Sequence, residues 1–299
     1  MSTAGWLVIG ALGLAVLAGA AYYFLWLTEG MYLGWRVVAL LYDWYAARYD
    51  RTKRYDPTYE RLFIARPIVH RMFEDGARAP LILDVATGTG RVPGLLASQD
   101  DFHGRVIGLD VSREMLFHAA VNLARQPRVH LLWGTVAELP FPDDTFDMVT
   151  CIEAWEFFPR ARHDLRELVR VLRPGGTLMI TNRKGFDARL MPGKTLSTEG
   201  MRAWLTDGLG LVDVFDERWQ VDYDLFWARK PGVLVPAGPR PLEEILRCPV
   251  CGVVDLLGTD TPALVCMRCE THIPVGADGV VEWLAVWEQA RRTRMRGAG

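Results

Sequence analysis

The segment ILDVATGTGRV, residues 82–92, combines an apolar run, an acidic residue and a glycine-rich turn. A turn of this kind after a strand can hold a dinucleotide or another adenosine cofactor. A dinucleotide turn has a further glycine three residues after the second one, where the backbone approaches the pyrophosphate. Counted from Gly90, that position is occupied by Pro93. The spacing therefore favours a cofactor that has no phosphate groups.

Two carboxylates near this turn indicate which cofactor it would be. Asp84 ends the apolar run, four residues before Gly88, where it would repel a pyrophosphate but suit a cationic group. Asp110 ends the next apolar run and is placed to accept hydrogen bonds from both hydroxyls of a ribose. An adenosine that carries a positively charged amino-acid tail is S-adenosylmethionine, and the residues predict this cofactor.

A second chemistry is indicated near the C-terminus, where four of the five cysteines lie in two C-x2-C pairs. Fourteen residues separate the pairs, whose members are Cys248, Cys251, Cys266 and Cys269. Four thiolates at this spacing can surround one Zn²⁺ tetrahedrally and leave no open position for chemistry. We predict a structural zinc site, with a disulfide pairing as the alternative.

The elements that must position these residues follow from hydrophobic patterning. Short apolar runs typical of buried strands alternate with helical stretches; the runs are LILDVA, RVIGLD, VHLLW, FDMVTCI, TLMITN and VDYDLFWARK. This alternation predicts an α/β fold with a doubly wound, mainly parallel sheet. Such sheets bind ligands beyond the carboxyl ends of their strands, where Asp84 and Asp110 lie.

The N-terminus has a different character, because its first 28 residues include no Asp, Glu, Lys, Arg or His. The apolar run 6–27 has about the length of a bilayer-spanning helix, roughly 20 residues. We predict that residues 1–30 form a membrane anchor, with a cleaved signal peptide and a buried core helix as alternatives. The positive-inside rule then places the body in the cytoplasm, because the run is followed by Arg36, Arg48, Arg51, Lys53 and Arg54.

Shifts in composition divide the rest of the chain. The aromatic and basic segment 31–56 would either lie along an anionic membrane surface or pack on the body as a helix. The α/β body is predicted over 57–230, and a linker rich in proline and glycine over 231–242. The ribbon would span 243–285, and 286–299 would be a basic tail, either solvated or touching the membrane.

Charge argues against a nucleic-acid partner. The chain of 299 residues has a formal net charge of −2. Between Glu243 and Trp283, two arginines stand against seven acidic residues, a balance of 2 − 7 = −5. A surface of this sign is a poor binder of phosphates. We expect no nucleic-acid partner, and the sequence leaves the oligomeric state open.

Four blocks of sequence carry a resemblance to a known family. They are LILDVATGTGRV, VIGLDVSREML, GTVAELPFPDDTFDMVTCIEA and ELVRVLRPGGTLMITNR. In order and spacing the chain resembles the class I S-adenosylmethionine-dependent methyltransferases, above all the branch of the ubiquinone and menaquinone C-methyltransferases. The resemblance implies a Rossmann-like, seven-stranded sheet over about residues 40–230 and methyl transfer from S-adenosylmethionine. The cysteine segment similarly resembles the small zinc-ribbon activators of methyltransferases.

The family resemblance implies roles for individual residues. The glycine turn would hold the methionine moiety, Asp110 the ribose, and Val111 and Met115 the adenine pocket. The full predicted cofactor set is Asp84, Ala86, Thr87, Gly88, Thr89, Gly90, Asp110, Val111, Met115, Thr135, Val136, Ala137 and Glu153. Thr135 departs from the family, which usually has an Asp there for the adenine amino group. A neutral hydroxyl is a weaker partner by about 1 kcal/mol.

Catalytic residues are expected in CIEAWEFFPRARH, which in this family faces the methyl group. Methyl transfer needs mainly positioning and an electron-rich acceptor. Glu153 and Glu156 are the predicted catalytic residues; Glu153 would contact the cofactor or act as a base, and a helix-capping or solvent-exposed carboxylate is the alternative. His163 is a weaker candidate. An apolar substrate pocket, or simply the core, would contain Trp155, Phe157 and Phe158.

An anchored methyltransferase would act on a hydrophobic small molecule or lipid, such as a quinone precursor, because partitioning confines enzyme and substrate to one surface. Two alternatives stay open at this point. The first is methylation of a protein or RNA that the ribbon recognises. The second is a scaffold at the membrane that binds S-adenosylmethionine without transferring its methyl group.

Overall fold

The computed structural model describes residues 2–53, 55–259 and 261–297. Arg54 of the basic flank, Asp260 of the predicted ribbon and the last two residues of the predicted tail lie outside the described residues.

An exposed apolar helix opens the chain. Helix α1, Thr3–Ala21, continues as a π-helical turn over Tyr22–Leu27. Together they make 25 residues, whose most apolar 18-residue stretch has a mean hydropathy of 2.0 and is not buried. A core helix would be buried against the rest of the chain, so the length and composition fit a membrane span or a signal sequence.

Helix α2, Trp35–Lys53, follows a tight turn and packs on the body of the protein. The turn needs left-handed backbone at Glu29, Gly30 and Gly34, with φ of 46°, 76° and 93°. A Cβ on Gly30 would lie 3.0 Å from Cδ1 of Leu41, so the turn is pressed against α2. Segment 31–56 therefore contains a helix packed on the body, and this packing uses one face of the helix.

A seven-stranded sheet lies at the centre of the body. Its strands are β1 Leu81–Val85, β2 Arg105–Asp110, β3 Val129–Trp133, β4 Phe146–Cys151, β5 Leu172–Arg183, β6 Val212–Arg218 and β7 Tyr223–Arg229. The spatial order is β3-β2-β1-β4-β5-β7-β6. The first five strands pair in parallel and β7 is antiparallel to both its neighbours. The predicted doubly wound, mainly parallel sheet is confirmed.

Helices cover both faces of this sheet. They are α3 Pro57–Glu60, α4 Arg66–Glu74, α5 Arg91–Ala97, α6 Arg113–Asn122, α7 Ala161–Val171, α8 Gly185–Arg189 and α9 Thr198–Ala203. Successive residues of β1 point to opposite faces. Leu83 belongs to the same buried cluster as Leu168 of α7, and Ile82 to the cluster of Ile68 and Leu96 on α4 and α5. The strands are therefore apolar on both faces, as the continuous apolar runs indicate.

The segment 231–242 is held along the sheet. Asp147 of β4 is fully buried. Its Oδ1 accepts the N–H of Ala237, and its Oδ2 accepts the N–H of Leu81, both at 2.8 Å. One carboxylate thus joins this segment and β1 to the middle of the sheet.

The cysteine-containing segment forms a small antiparallel sheet with strands β8 Leu256–Gly258, β9 Ala263–Cys266 and β10 His272–Pro274. It then joins the edge of the main sheet. The N–H of Val281 donates to the carbonyl of Leu131 at 3.0 Å, and the N–H of Trp133 donates to the carbonyl of Val281 at 2.9 Å. The ribbon segment thereby covers the free edge of β3.

The last element is helix α10, Trp283–Gly297, which includes most of the predicted tail. Trp283, Leu284 and Trp287 are buried, and the indole N–H of Trp283 donates to the carbonyl of Arg247 at 2.8 Å. Apolar residues at positions i, i+1 and i+4 of a helix share one face. Burial of this face packs α10 against the core. The arginines of RRTRMR, taken alone, predict a basic tail that is solvated or touches the membrane.

Replacing Asp147 with Ala should destabilise the chain strongly. The change leaves the N–H groups of Leu81 and Ala237 without their acceptor, which we expect to lower the free energy of unfolding by about 2–4 kcal/mol. Chemical denaturation of the detergent-solubilised chain measures the effect. Asp101→Ala, at an exposed loop position, is the control, and equal midpoints for the two variants would contradict the role given to Asp147.

Candidate active site

A cavity lies at the carboxyl ends of β1, β2 and β4, the edge at which a doubly wound sheet binds its ligand. Its walls come from the glycine turn after β1, the end of β2, the segments 134–136 and 152–159, and one face of α2. A smaller recess beside it is lined by the rest of the glycine turn. The two share Ala86, Gly88, Tyr49, Ile152.

Asp110 closes one end of the cavity and is buried. Its Oδ1 accepts the N–H of Ser112 and its Oδ2 accepts the N–H of Gly88, both at 2.8 Å. Each oxygen keeps a lone pair for a second donor, as two ribose hydroxyls would require. Burial raises the pKa of Asp110 to about 6, so the carboxylate gains from each donor that a ligand brings.

Asp84 lines the smaller recess at the end of β1. Its Oδ1 accepts the hydroxyl of Thr150 at 2.6 Å, and burial raises the pKa of this carboxyl to about 6 as well. A buried carboxylate with free lone pairs suits a cationic amino group. The acceptor oxygens of the two aspartates therefore fit the hydroxyls and the amino group of S-adenosylmethionine.

The predicted cofactor residues divide into those that line these spaces and those that do not. Lining residues are Asp84, Ala86, Thr87, Gly88, Thr89, Asp110, Val111, Met115, Thr135, Val136 and Glu153. Gly90 and Ala137 line neither space. Gly90 has φ of 84°, a left-handed backbone that favours glycine, so the shape of the turn accounts for this residue. The hydroxyl of Thr135 accepts the N–H of Ala137 at 3.3 Å.

Glu153 lies in the cavity wall with left-handed backbone, φ 55°. Its carboxylate pairs with Arg91 at 2.9 Å and with Lys53 at 3.5 Å. Burial alone would raise the pKa of Glu153, but the charges of Arg91 and Lys53 outweigh it and hold the pKa below its usual value. A carboxylate kept ionised in this way is a weak base. The two cations therefore disfavour proton abstraction by Glu153.

Glu156 is fully buried outside the cavity lining. Its Oε1 accepts the hydroxyl of Tyr223 at 2.9 Å and the Nε–H of Arg183 at 3.0 Å. The structure therefore does not bring this predicted catalytic residue to the cavity. His163 also stays away from it, paired at 3.1 Å with Asp164 on α7.

The aromatic residues of this stretch also separate. Trp155 is buried in the core, whereas Phe157 and Phe158 line the cavity. The two phenylalanines give the cavity an apolar wall next to Glu153.

The cavity roof was not expected from the sequence. It is α2, the lid helix, whose Trp35, Val38, Tyr42 and Tyr49 line the cavity. These positions recur at three, four and seven residues, which is the spacing of one helical face. That pattern was readable as a helix face, but a face that covers a cofactor cavity looks the same in sequence as one that packs on a core.

Two aspartates hold the lid helix down on the cofactor side. Oδ1 of Asp43 accepts the hydroxyl of Ser112 at 2.6 Å. Oδ1 of Asp50 accepts the hydroxyl of Thr89 at 2.6 Å. Ser112 follows the predicted cofactor residue Val111, and Thr89 is itself a predicted cofactor residue, so the lid helix is tied to both cofactor loops.

Arg91 is a further site residue that sequence reasoning missed. It directly follows the glycine turn, lines the smaller recess and bridges Glu153 to Glu60. Its guanidinium also lies 3.8 Å from the ring centroid of Tyr55. The sequence did offer a signal: Arg91 directly follows a turn that is expected to bind a cationic ligand. A buried arginine at such a place needs carboxylate partners to balance its charge.

The four cysteines of the ribbon segment come together. Their sulfur atoms all lie within 4.8 Å of one another, and the pairs Cys248–Cys269 and Cys251–Cys266 are each 3.6 Å apart. Ligands at about 2.3 Å from a tetrahedral Zn²⁺ would be separated by about 3.8 Å. The cluster is thus compatible with a zinc ribbon.

Part of this chain is similar in sequence to known methyltransferases. Residues 83–180 match the family model described as a methyltransferase domain. The demethylmenaquinone methyltransferase of Clavibacter sepedonicus is 32% identical over 163 residues, covering 50% of this chain and 63% of that protein. The protein of the same name from Lysinibacillus sphaericus is 37% identical over 110 residues, covering 37% and 46%. This chain spans less than two thirds of the length of these relatives.

Among solved structures, an S-adenosylmethionine-dependent methyltransferase from Aquifex aeolicus aligns with a TM-score of 0.48 and 22% identity. The alignment covers 61% of this chain and 96% of that one.

Replacing Asp110 with Ala should weaken binding of S-adenosylmethionine. The ribose hydroxyls would lose a charged acceptor worth about 1.5–3 kcal/mol, or roughly 10- to 100-fold in affinity. Calorimetry on the purified chain measures this, and Asp101→Ala is the control. An unchanged dissociation constant would remove Asp110 from the site.

The pH dependence gives a second readout for the same residue. With a pKa of about 6, Asp110 is protonated at pH 5 and must lose its proton to accept both hydroxyls. Affinity should therefore rise with pH through this range, by up to about tenfold per unit for each carboxyl involved. Asp84, with a similar pKa, would retain its share of that dependence in the Asp110→Ala variant. A flat profile in the unsubstituted chain would contradict the assignment of both aspartates.

Proposed function

We propose that this chain, which carries a class I S-adenosylmethionine-dependent methyltransferase domain, is a membrane-anchored enzyme that methylates a hydrophobic small molecule or lipid, such as a quinone precursor. One observation carries the proposal. The cavity at the strand ends is lined both by the carboxylate of Asp110 and by aromatic side chains of the lid helix. In the chain, the lid helix comes directly after the exposed apolar helix.

The chain's own residues would bind and orient the reactants. Asp110 would accept the ribose hydroxyls, Asp84 the amino group, and Val111 and Met115 would hold the adenine. S-adenosylmethionine supplies an electrophilic methyl group on a sulfonium. Displacement at that methyl group needs an in-line acceptor more than it needs acid or base groups.

The lid helix would exclude water from the transfer. Tyr42 and Tyr49 lie on its cavity face, and water excluded from a site strengthens the electrostatic interactions inside it. Glu153, held ionised by Arg91 and Lys53, would place negative charge near the sulfonium. The role proposed for Glu153 is electrostatic, and the acceptor would arrive already electron-rich.

The apolar walls favour a hydrophobic acceptor. Trp35, Val38, Phe157 and Phe158 present mostly carbon surface to the cavity, and sites for apolar ligands are lined in this way. The relatives named above are demethylmenaquinone methyltransferases. A quinone-type acceptor suits both the lining and these names.

The anchor and its orientation are part of the proposal. The end of the apolar helix contacts the body, because the hydroxyl of Tyr23 donates to the carbonyl of Leu190 at 2.7 Å. A helix docked in this way supports a retained anchor rather than a removed leader. The arginines and lysines that follow the helix favour a body on the cytoplasmic side of the cell membrane.

We further propose that the cysteine cluster binds one structural Zn²⁺. Four sulfur ligands complete a tetrahedral shell, and the three short strands β8, β9 and β10 bury little apolar surface of their own. The metal would hold the ribbon in the form that pairs with β3.

Label from S-adenosylmethionine should enter the lipid fraction. The test incubates native membranes with the purified chain and a methyl-labelled cofactor, then separates lipid, protein and RNA. Asp110→Ala should lose most of the incorporation, while Asp101→Ala should retain it. Label confined to protein or RNA would overturn the proposed substrate class, and no label in any fraction would favour a scaffold that only binds the cofactor.

Replacing Cys251 with Ser should release zinc and loosen the ribbon. Three remaining thiolates cannot complete the shell, so we expect elemental analysis to fall from one zinc per chain to well below one. Ser replacing Cys151, a buried cysteine outside the cluster, is the matched control and should keep its metal. Cofactor affinity should survive in the Cys251→Ser variant. Freshly purified, reduced chain without zinc would refute the metal site.

A further inference from the structure

The outer face of the lid helix is exposed and apolar at its centre. While Trp35, Val38, Tyr42 and Tyr49 face the cavity, Leu40 and Trp44 are 67% and 66% exposed. These two residues are four apart and so lie together on the surface of the helix. A large aromatic and a large aliphatic side chain are thus presented side by side to the surroundings.

The lid helix directs both of its aspartates to the body, where its last residue, Lys53, also pairs with Glu153. Asp43 accepts the hydroxyl of Ser112, and Asp50 accepts the hydroxyl of Thr89. Arg48 and Arg51 flank the exposed pair on the outer face, while Arg36 pairs with Glu288 of α10 at 2.7 Å. Arg48 places its guanidinium 5.8 Å from the ring centroid of Trp44; the exposed arginines of the helix are Arg36, Arg48 and Arg51.

The lid helix also passes close to the end of the apolar helix. The hydroxyl of Tyr42 donates to Oε2 of Glu29 at 2.7 Å, and Glu29 stands two residues after the end of the π-helical turn at Leu27. Tyr42 is two helical turns into the lid helix, at about 10 Å from its start. A helix leaving along the axis of α1 would carry Tyr42 away from Glu29, so the chain turns after α1 and the lid helix passes back beside Glu29.

A second contact fixes the same end of the molecule. The hydroxyl of Tyr32 donates to the carbonyl of Pro192 at 2.9 Å, beside the contact of Tyr23 with Leu190. The segment after α8 therefore flanks the exit of the apolar helix. Phe186 of α8 is exposed as well, which adds another aromatic side chain on this segment.

We propose that the outer face of the lid helix lies on an anionic lipid bilayer, with Leu40 and Trp44 at the level of the headgroups and Arg48 and Arg51 against lipid phosphates. The proposal rests on the membrane anchor of the proposed function. Large apolar residues flanked by arginines are the composition of interfacial helices. One helix then faces the bilayer on one side and the cofactor cavity on the other, so a hydrophobic acceptor reaches the cavity from the membrane around the edge of the lid.

Photo-crosslinking of the full chain in lipid nanodiscs tests this placement. A benzophenone amino acid replaces Leu40, and two further variants carry it at Leu17, within the apolar helix, and at Val233. Val233 is 82% exposed and lies beside Gly175, at the amino end of β5 and thus opposite the cavity. The nanodiscs contain phosphatidylcholine with or without phosphatidylserine, and mass spectrometry identifies lipid adducts.

We expect lipid adducts at positions 17 and 40 and none at 233. With phosphatidylserine, the adduct at 40 should fall by about fivefold for each charge removed in Arg48→Gln and Arg51→Gln. The same changes at Arg125 and Arg218, exposed on the body, should leave it unchanged.

Several outcomes would overturn the placement. An adduct at 17 without one at 40 would leave the anchor in place and refute the docked lid. Protein adducts at 40 would mean that a second copy covers this face, and equal lipid adducts at 40 and 233 would mean unspecific contact. Absence of the adduct at 17 would remove the anchor and the docked lid together, while the labelled-methyl assay reports separately on methyl transfer.

Discussion

The arrangement of the site depends on one carboxylate that joins two strand ends. Asp110, at the end of β2, accepts the N–H of Gly88 from the turn after β1 and the N–H of Ser112 from its own turn. Both turns lead into helices, and both supply walls of the cavity. A buried carboxylate needs such donors, because its charge has lost the solvation of water. The two N–H groups that Asp110 accepts hold the loops in place, and each of its oxygens keeps a lone pair for a ligand in the cavity.

Around this centre, charge is balanced in buried pairs and clusters. Arg91 lies between Glu60 and Glu153, and Arg183 pairs with Glu156. Buried ion pairs contribute little net stability, but removing one partner is costly. They therefore hold the orientation of their side chains. Glu153 in particular keeps its charge and its position because two cations share it.

Much of this fold was predictable because its strands are short apolar runs buried on both faces. The runs that ended on Asp84 and Asp110 gave the sheet edge and the two carboxylates of the site. The two C-x2-C pairs gave the cysteine cluster, whose members the structure brings within contact distance. These features are local in sequence, and local spacing is what a sequence displays.

The features that were missed depend on contacts between distant segments. Whether Glu156 faces a cavity or an arginine is decided by Arg183 and Tyr223, which lie on other strands. The roof over the cavity comes from a helix that precedes the body, and its amphipathic pattern does not say what it covers. The tail forms a helix because Trp283 and Trp287 pack into a core whose other residues are mostly far from them in sequence.

The pairing of Val281 with β3 has a consequence for how the chain is made. Strand β3 is an edge strand, and an open edge is a template for pairing with other chains. Ribosomes synthesise β3 long before the ribbon, so its outer N–H and C=O groups stay uncovered while the rest of the sheet can already form. The cover arrives only with Val281, in the cysteine-containing segment far downstream of β3. A nascent chain that has not reached this segment therefore carries a hazard of aggregation that the folded structure hides.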